Sequence, residues 1–395
     1  MKLIKDPIHG DVMLGEEDLA LLDSPQLQRL RRIKQIGLGD LVYPGANHTR
    51  FEHSLGTMYI AGELAERMGL QEEDRRKIRL AALLHDVGHG PFSHTSEKFA
   101  VAASQIDHSR LTERKIFSGG IAGTLESIGM DPKEIAGIAT GQKTELGRML
   151  QSQIGVDRMD YLMRDAHYTG VAYGVIDYKR IISTLVFHGG EVVIREKGIQ
   201  AAESLLVARF MMYPAVYLHH VCRIADAMMV RALEELKDGG TAVEEIMDMD
   251  DTTLVTVLKQ EKGIPRDVAT RILNRDLFKR AVYLSPSEVG DLDQLLEMSQ
   301  DRAHVRGLED EIAGSAHLAP GSVLMDIQAK PSLDDVRIKV LSESKVELLE
   351  QRSALVRSLT EAQWDYWRFG VYCARENVQS VKEVCEGYGW RGMEK

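Results

Sequence analysis

ALLHDVGHGPFSH, residues 82–94, sets His85, Asp86, His89 and His94 within ten positions, directly after the apolar run Leu80-Ala81-Ala82-Leu83-Leu84. Neighbouring side chains on a helix point about 100° apart, so His85 and Asp86 serve one site most simply from a helix end that faces inward. An imidazole or carboxylate buried without a partner is costly, so the pair requires a counter-ion, a hydrogen-bond network or a metal. A lone His-Asp dipeptide does not choose among these, because Asp–His hydrogen bonds are common structural features.

The chain around this stretch reads mainly with helical period. Apolar residues recur at three- and four-residue intervals over 16–35, 52–69, 74–87, 108–129, 143–165, 177–186, 200–238, 252–260, 266–280 and 342–378. Asp23-Ser24-Pro25 and Asp131-Pro132 look like helix starts, with a capping side chain just before a proline suited to the first turn. Gly119-Gly120, Gly189-Gly190 and Gly239-Gly240 mark breaks. Strand candidates are rarer: EVVIRE (191–196) follows a Gly-Gly turn, while SVLMDIQ (322–328) and VRIKVL (336–341) alternate well enough to pair. The expected architecture is a mainly α, helical core over 1–320 and a small α+β C-terminal region over 321–395. The charged segment 297–311 reads as a mobile excursion.

Composition narrows the function. The 395 residues are 44% hydrophobic with a net charge of −11, which argues against a surface adapted throughout to nucleic acid and favours a small-molecule partner. Cys222, Cys373 and Cys385 lack metal-ligand spacing, and MKLIKDPIHG lacks the apolar core of a signal peptide, so a cytoplasmic protein is expected. The most apolar region, 205–222, is interrupted by Arg209, Pro214, His219 and His220, which fits a buried helix better than a membrane span.

Two further segments raise the case for chemistry. HTRFEHSLGTMYIAGELAERM (48–68) places His53 near the start of an amphipathic pattern, and GVDRMDYLMRDAHYTG (155–170) places Asp157, Tyr161, Arg164, Asp165 and Tyr168 at helical spacing. Taken alone, a solvated face accounts for the second as well as a buried one does. Together His53, His85, Asp86 and Asp157 form a set of two imidazoles and two carboxylates, which suits a divalent metal of borderline hardness and leaves Mn, Fe, Ni, Co, Zn and Mg open.

The order H…HD…D resembles the HD-domain metal-dependent phosphohydrolases. The flanking stretches DPIHGDVML (6–14), DSPQLQRLRRIKQIG (23–37), YPGANHTRFEHSLG (43–56), VDRMDYLMRD (156–165), DYKR (177–180) and YLHHVCRIADAMM (217–229) resemble its deoxynucleoside triphosphate triphosphohydrolase branch, of the SAM-and-HD-domain type. The likeness covers most of 1–235, and NRDLFKR (274–280) extends it weakly. It begins within the first ten residues, so no separate N-terminal helical module is expected.

The resemblance implies a metal held by His53, His85, Asp86 and Asp157. It implies conversion of a deoxynucleoside triphosphate to the deoxynucleoside and intact triphosphate. His94 would protonate the leaving group, with His89 and His108 orienting phosphate; Glu97 stands where the branch carries Asp, a longer carboxylate that bears on how the imidazoles are turned. Arg50, Arg158, Tyr161 and Arg209 match phosphate-binding positions, Arg158 standing where lysine is familiar. Gln35, Ile36, Asp165 and Tyr217 match positions that hold the 3′-hydroxyl or wall off the 2′ carbon. Lys2, Asp23, Gln28 and Arg31 match residues of a nucleotide-activator site between subunits, which implies a homo-oligomer, although Lys5 departs from the expected amide. Two other readings stand beside this one: an HD phosphohydrolase of nucleoside monophosphates, alarmones or modified nucleotides, and a sensor that binds nucleotide or nucleic acid. A complete ligand set is superfluous in a pure sensor.

Overall fold

A computed structural model describes residues 1–118, 120–142, 144–330, 337–343 and 345–392. Helices Arg50–Arg67, Glu72–Leu84 and Val156–Thr169 pack together in the largest apolar core, which includes Leu55, Met58, Ile60, Leu83, Leu84, Met159 and Leu162. Their ends are chemically specified. The Thr49 backbone N–H donates to Glu52 in a capping box, and Gly170 closes Val156–Thr169 with φ 75°. The two proline starts form as expected, Ser24 accepting from the Leu27 N–H and Asp131 from the Lys133 N–H.

The apolar run 80–84 ends its helix at His85, so the following turn carries the polar residues inward. Helix His108–Phe117 lies against that turn. The Thr112 hydroxyl donates to the His85 carbonyl and accepts from the Gly88 N–H, both at 3.0 Å. A Cβ on Gly88 would stand 2.2 Å from the Thr112 nitrogen, so only glycine permits this approach.

Strands depart most from expectation. A hairpin of β1 (Lys2–Asp6) and β2 (Gly10–Leu14) precedes the helices. β3 (Leu185–His188) and β4 (Glu191–Arg195) meet across Gly189-Gly190, both at positive φ, as a hairpin should. β5 (Lys279–Leu284) cuts short the helix expected over 266–280, which ends at Leu273. The stretches 322–328 and 337–341 do not pair with each other. β6 (Val323–Ile327) joins β5 and β9 in the order β5-β9-β6, whereas β7 (Lys339–Ser342) and β8 (Lys345–Leu348) extend the other sheet in the order β3-β4-β7-β8. β9 (Phe369–Cys373) is buried at every position, so its sequence FGVYC is a continuous apolar run without alternation and merges into the helical pattern read over 342–378. Gly119 and Val336, from the expected break and strand, lie outside the described residues.

Further expectations change. The 297–311 segment is not a loose excursion: helix Arg302–Ser315 packs on β6, and buried Glu309 accepts from Arg302 and from the Met325 N–H. One apolar cluster runs from Leu284 to Cys385, so the boundary placed at 320 falls within a single packed unit. The 200–238 pattern divides into helix Ile199–Met212, a π-helical turn Tyr213–Tyr217 that contains Pro214, and helix His220–Asp238, with a bend of 61° at the break after Tyr217. Among the described residues no single helix is long and apolar enough to cross a membrane.

Gly88→Ala should force the His108–Phe117 helix off the turn. A loss of about 1–3 kcal/mol is expected, as for other overpacked cores, and thermal unfolding followed by circular dichroism checks it.

Candidate metal centre and active site

Three helices deliver the four expected ligands to one point. His53 comes from the first turns of Arg50–Arg67, His85 and Asp86 from the end of Glu72–Leu84, and Asp157 from the first turn of Val156–Thr169. His53 Nε2 lies 3.2 Å from His85 Nε2 and 3.0 Å from Asp157 Oδ1, and His85 Nε2 lies 3.6 Å from the same oxygen. Asp86 completes the set, with oxygens 3.4 Å from His85 Nε2 and 3.7 Å from His53 Nε2.

The chemistry of these donors fits a cation. His85 Nδ1 faces the Ala82 carbonyl at 2.7 Å, which can only accept, so Nδ1 carries the proton and Nε2 presents a lone pair. His53 Nδ1 faces the Asp160 carboxylate at 2.7 Å, and the same reasoning applies. Two nitrogen lone pairs and two carboxylates therefore converge and repel unless positive charge lies between them. Ligands at about 2.0–2.2 Å from a common ion sit roughly 3.0–3.5 Å apart, and the separations here run from 3.0 to 3.7 Å. Without a metal, a proton fills the place. Burial opposes charge on His53, but hydrogen bonds with Asp157 and Asp160 outweigh it and raise its pKa to about 10. That with His53, together with the nearby His85 imidazole, holds Asp157 well below the usual carboxylate range despite its burial.

Asp160, which sequence reading passed over, anchors this set. It accepts from His53, from His9 at 2.6 Å and from Arg164 through two nitrogens at 2.9 Å, while Arg164 also donates to Asp6 at 2.8 Å. Gly56 makes room, since a Cβ there would lie 1.9 Å from Asp160 Oδ1. The signal was present in the spacing, because Asp160 is three residues after Asp157 and four before Arg164.

A second group of imidazoles stands beside the first. His89 and His108 stack with ring centres 4.4 Å apart, and His94 meets His89 edge-on at 5.3 Å. Glu97 accepts from His94 Nδ1 at 2.8 Å and from His108 Nδ1 at 2.5 Å, so its extra methylene does not prevent it from orienting both rings and leaving each Nε2 for chemistry. His89, His94 and Glu97 also present donor atoms within 4.8 Å, a closeness the His94–Glu97 hydrogen bond explains. Burial and the Arg50 charge push the His89 pKa well below its ordinary value. His108 is raised, because its bond to Glu97 outweighs burial. Arg50 is itself buried, donating to Ser93 at 2.7 Å and to Asp86 at 2.5 Å, and this charge keeps Asp86 ionised against its burial.

The remaining expected contacts surround this centre unevenly. Tyr161 lies 6.4 Å from the His53 ring and 6.3 Å from that of Tyr217. Arg158 donates to the Ser152 carbonyl and Arg209 to Gln153 at 3.0 Å, so both cations are anchored on one loop. Asp165 accepts from the Tyr217 hydroxyl at 2.8 Å and from His48 at 2.7 Å, and buried Gln35 is tied by its N–H to the His48 carbonyl. Ile36 sits half-buried beside Gly39. Of the residues read as an activator site, Asp23 ends helix Glu16–Leu22, Gln28 lies in helix Pro25–Arg29 and Arg31 in the 3-10 turn Leu30–Arg32, with Arg31 bonded to Gln28 and stacked over Phe51 at 3.6 Å, while exposed Lys2 lies on β1 opposite Leu14.

Comparison with known proteins gives this arrangement a family. The HD domain matches residues 50–164 and the HD associated region matches 176–388. The chain is 34% identical over 388 residues to uncharacterized protein MJ1154 of Methanocaldococcus jannaschii, covering 97% of this chain and 81% of that one. It is 29% identical over 393 residues to deoxynucleoside triphosphate triphosphohydrolase SAMHD1 of Homo sapiens, covering 84% and 61%. The crystal structure of a phosphohydrolase from Bacteroides thetaiotaomicron superposes with a TM-score of 0.73 at 25% identity, over 95% of this chain and 99% of that one. The chain belongs to the HD-domain family, and its class is that of the HD phosphohydrolases.

With its pKa at about 10, His53 is protonated in the metal-free protein throughout the neutral range. Binding of Mn²⁺ should therefore release about one proton at pH 7–8 and strengthen as pH rises toward 10. Titration calorimetry in buffers of different ionisation enthalpy measures both.

Proposed function

We propose that this chain hydrolyses deoxynucleoside triphosphates to the deoxynucleoside and intact inorganic triphosphate, working as a nucleotide-activated homo-oligomer. The observation that carries this reading is the set of Glu97-oriented imidazoles, His94 and His108, next to the convergent donors His53, His85, Asp86 and Asp157. Those four would hold a divalent metal, whose chemistry when bound is to act as a Lewis acid toward a phosphoryl oxygen and to acidify water.

The chain's own residues supply the rest. Arg50, Arg158, Tyr161 and Arg209 bind the triphosphate, and raised-pKa His108 stays cationic to higher pH and adds charge to that grip. A water oxygen bonds to the α-phosphorus, its proton passing to solvent, as the bond from phosphorus to the 5′ oxygen breaks. His94, its Nδ1 tied to Glu97, gives the leaving oxygen a proton from Nε2. Gln35 and Asp165 hold the 3′-hydroxyl, and the Tyr217 ring occupies the space a 2′-hydroxyl would need. Lys2, Asp23, Gln28 and Arg31 receive the activating nucleotide between subunits.

Incubation of dGTP with the protein and Mn²⁺, with and without GTP, should yield deoxyguanosine and intact triphosphate on chromatography. Stepwise release of phosphate would point instead to another HD phosphohydrolase chemistry. Glu97→Gln should lower kcat about 10–100-fold, the scale of a disturbed general acid. Without the carboxylate the raised pKa of His108 falls, so the alkaline limb of kcat/KM should move to lower pH in the rate profile.

A further inference from the structure

His48 is a fully buried imidazole whose ring stacks flat on Tyr168, with centroids 4.6 Å apart and planes 12° apart. Stacking alone asks only for an apolar ring. The polar demand comes from one side, where His48 Nε2 lies 2.7 Å from Asp165 Oδ1 while Nδ1 is buried with no partner. The proton therefore belongs on Nε2, and the ring donates to Asp165. The other oxygen of that carboxylate takes the Tyr217 hydroxyl at 2.8 Å.

Three constraints hold His48 in turn. Its carbonyl accepts the Gln35 N–H at 3.0 Å. Tyr168 is tied through its hydroxyl to Glu52 at 3.0 Å, and Glu52 caps the helix that begins one residue after Thr49. A carboxylate with both oxygens engaged cannot turn about its own axis, so the orientations of Asp165 and Tyr217 are inherited from His48.

We propose that His48 is the specificity-positioning residue of the sugar subsite: through Asp165 it sets the Tyr217 ring where it excludes a 2′-hydroxyl. This rests on the triphosphohydrolase reading above. His48 touches no reacting atom and acts entirely through Asp165. In His48→Ala, Asp165 is free to turn and Tyr217 loses its fixed acceptor.

The test is kcat and KM of the full-length protein for dGTP and for GTP, in wild type, His48→Ala and His48→Gln. His48→Ala should raise KM for dGTP more than it lowers kcat, and should reduce the dGTP-to-GTP ratio of kcat/KM about tenfold, a modest misplacement effect. Mn²⁺ affinity should not change. His48→Gln, whose amide can still donate to Asp165, should recover most of the ratio. If His48→Ala fails to fold, Tyr217→Phe breaks the same chain from its other end and should reproduce the loss. A wild type that prefers dGTP, with both His48 variants keeping that preference in full, overturns the role of His48 and leaves the activity standing. A wild type that shows no preference for dGTP over GTP overturns both.

Discussion

Asp160 is buried completely, and a carboxylate in that position survives only because every oxygen is paired. It accepts from His53, His9 and Arg164, and so joins the N-terminal hairpin, the Arg50–Arg67 helix and the Val156–Thr169 helix at one point. The arrangement does more than neutralise charge. By accepting from Nδ1 it fixes the tautomer of His53 and turns its Nε2 toward His85 and Asp157, as outer partners of metal-binding histidines commonly do. The turn of the hairpin serves the same end, since Asp6 accepts from the N–H groups of Ile8 and His9 and holds the His9 ring against Asp160.

The catalytic turn is fastened from the opposite side. The Arg29 guanidinium donates to the carbonyls of Val87 and His89 and, beyond them, to that of Met249 at 2.7 Å. Asp251 accepts from the N–H groups of Phe92 and Lys34, and burial raises its pKa to about 6. Residues 247–251 thus brace the turn that carries His85, His89 and His94. They also touch Arg32 and Lys34, next to the bonded pair Gln28 and Arg31. The second half of the chain is in this way part of how the first half holds its shape, which suits one family region over 50–164 and another over 176–388.

Much of the candidate site could be read along the chain because its residues sit at helix positions with strong local signals. His85-Asp86 follow an apolar run that has to be buried, and Asp157, Tyr161 and Asp165 repeat at helical spacing. His9 and His48 lacked such signals. Each is defined by a partner more than a hundred residues away in sequence, and nothing in the local pattern distinguishes a histidine that donates to Asp160 or Asp165 from one that faces water. The strands show the same division. The β3–β4 hairpin declares itself through Gly189-Gly190, whereas the fully buried β9 has no alternation and is defined only by its neighbours β5 and β6.

The sequence by itself determined the helical character, the helix starts, the His…His-Asp…Asp order and the family it resembles, because periodicity, capping and residue spacing are local properties. Only the tertiary structure decided which carboxylate orients His53, that Glu97 reaches both His94 and His108, and that Arg29 and Asp251 brace the turn from the far half of the chain. It also decided that β6 and β7 part company into separate sheets. Hydrogen bonds between distant side chains and strand pairing depend on which surfaces meet, and that is settled by how the whole apolar core is buried.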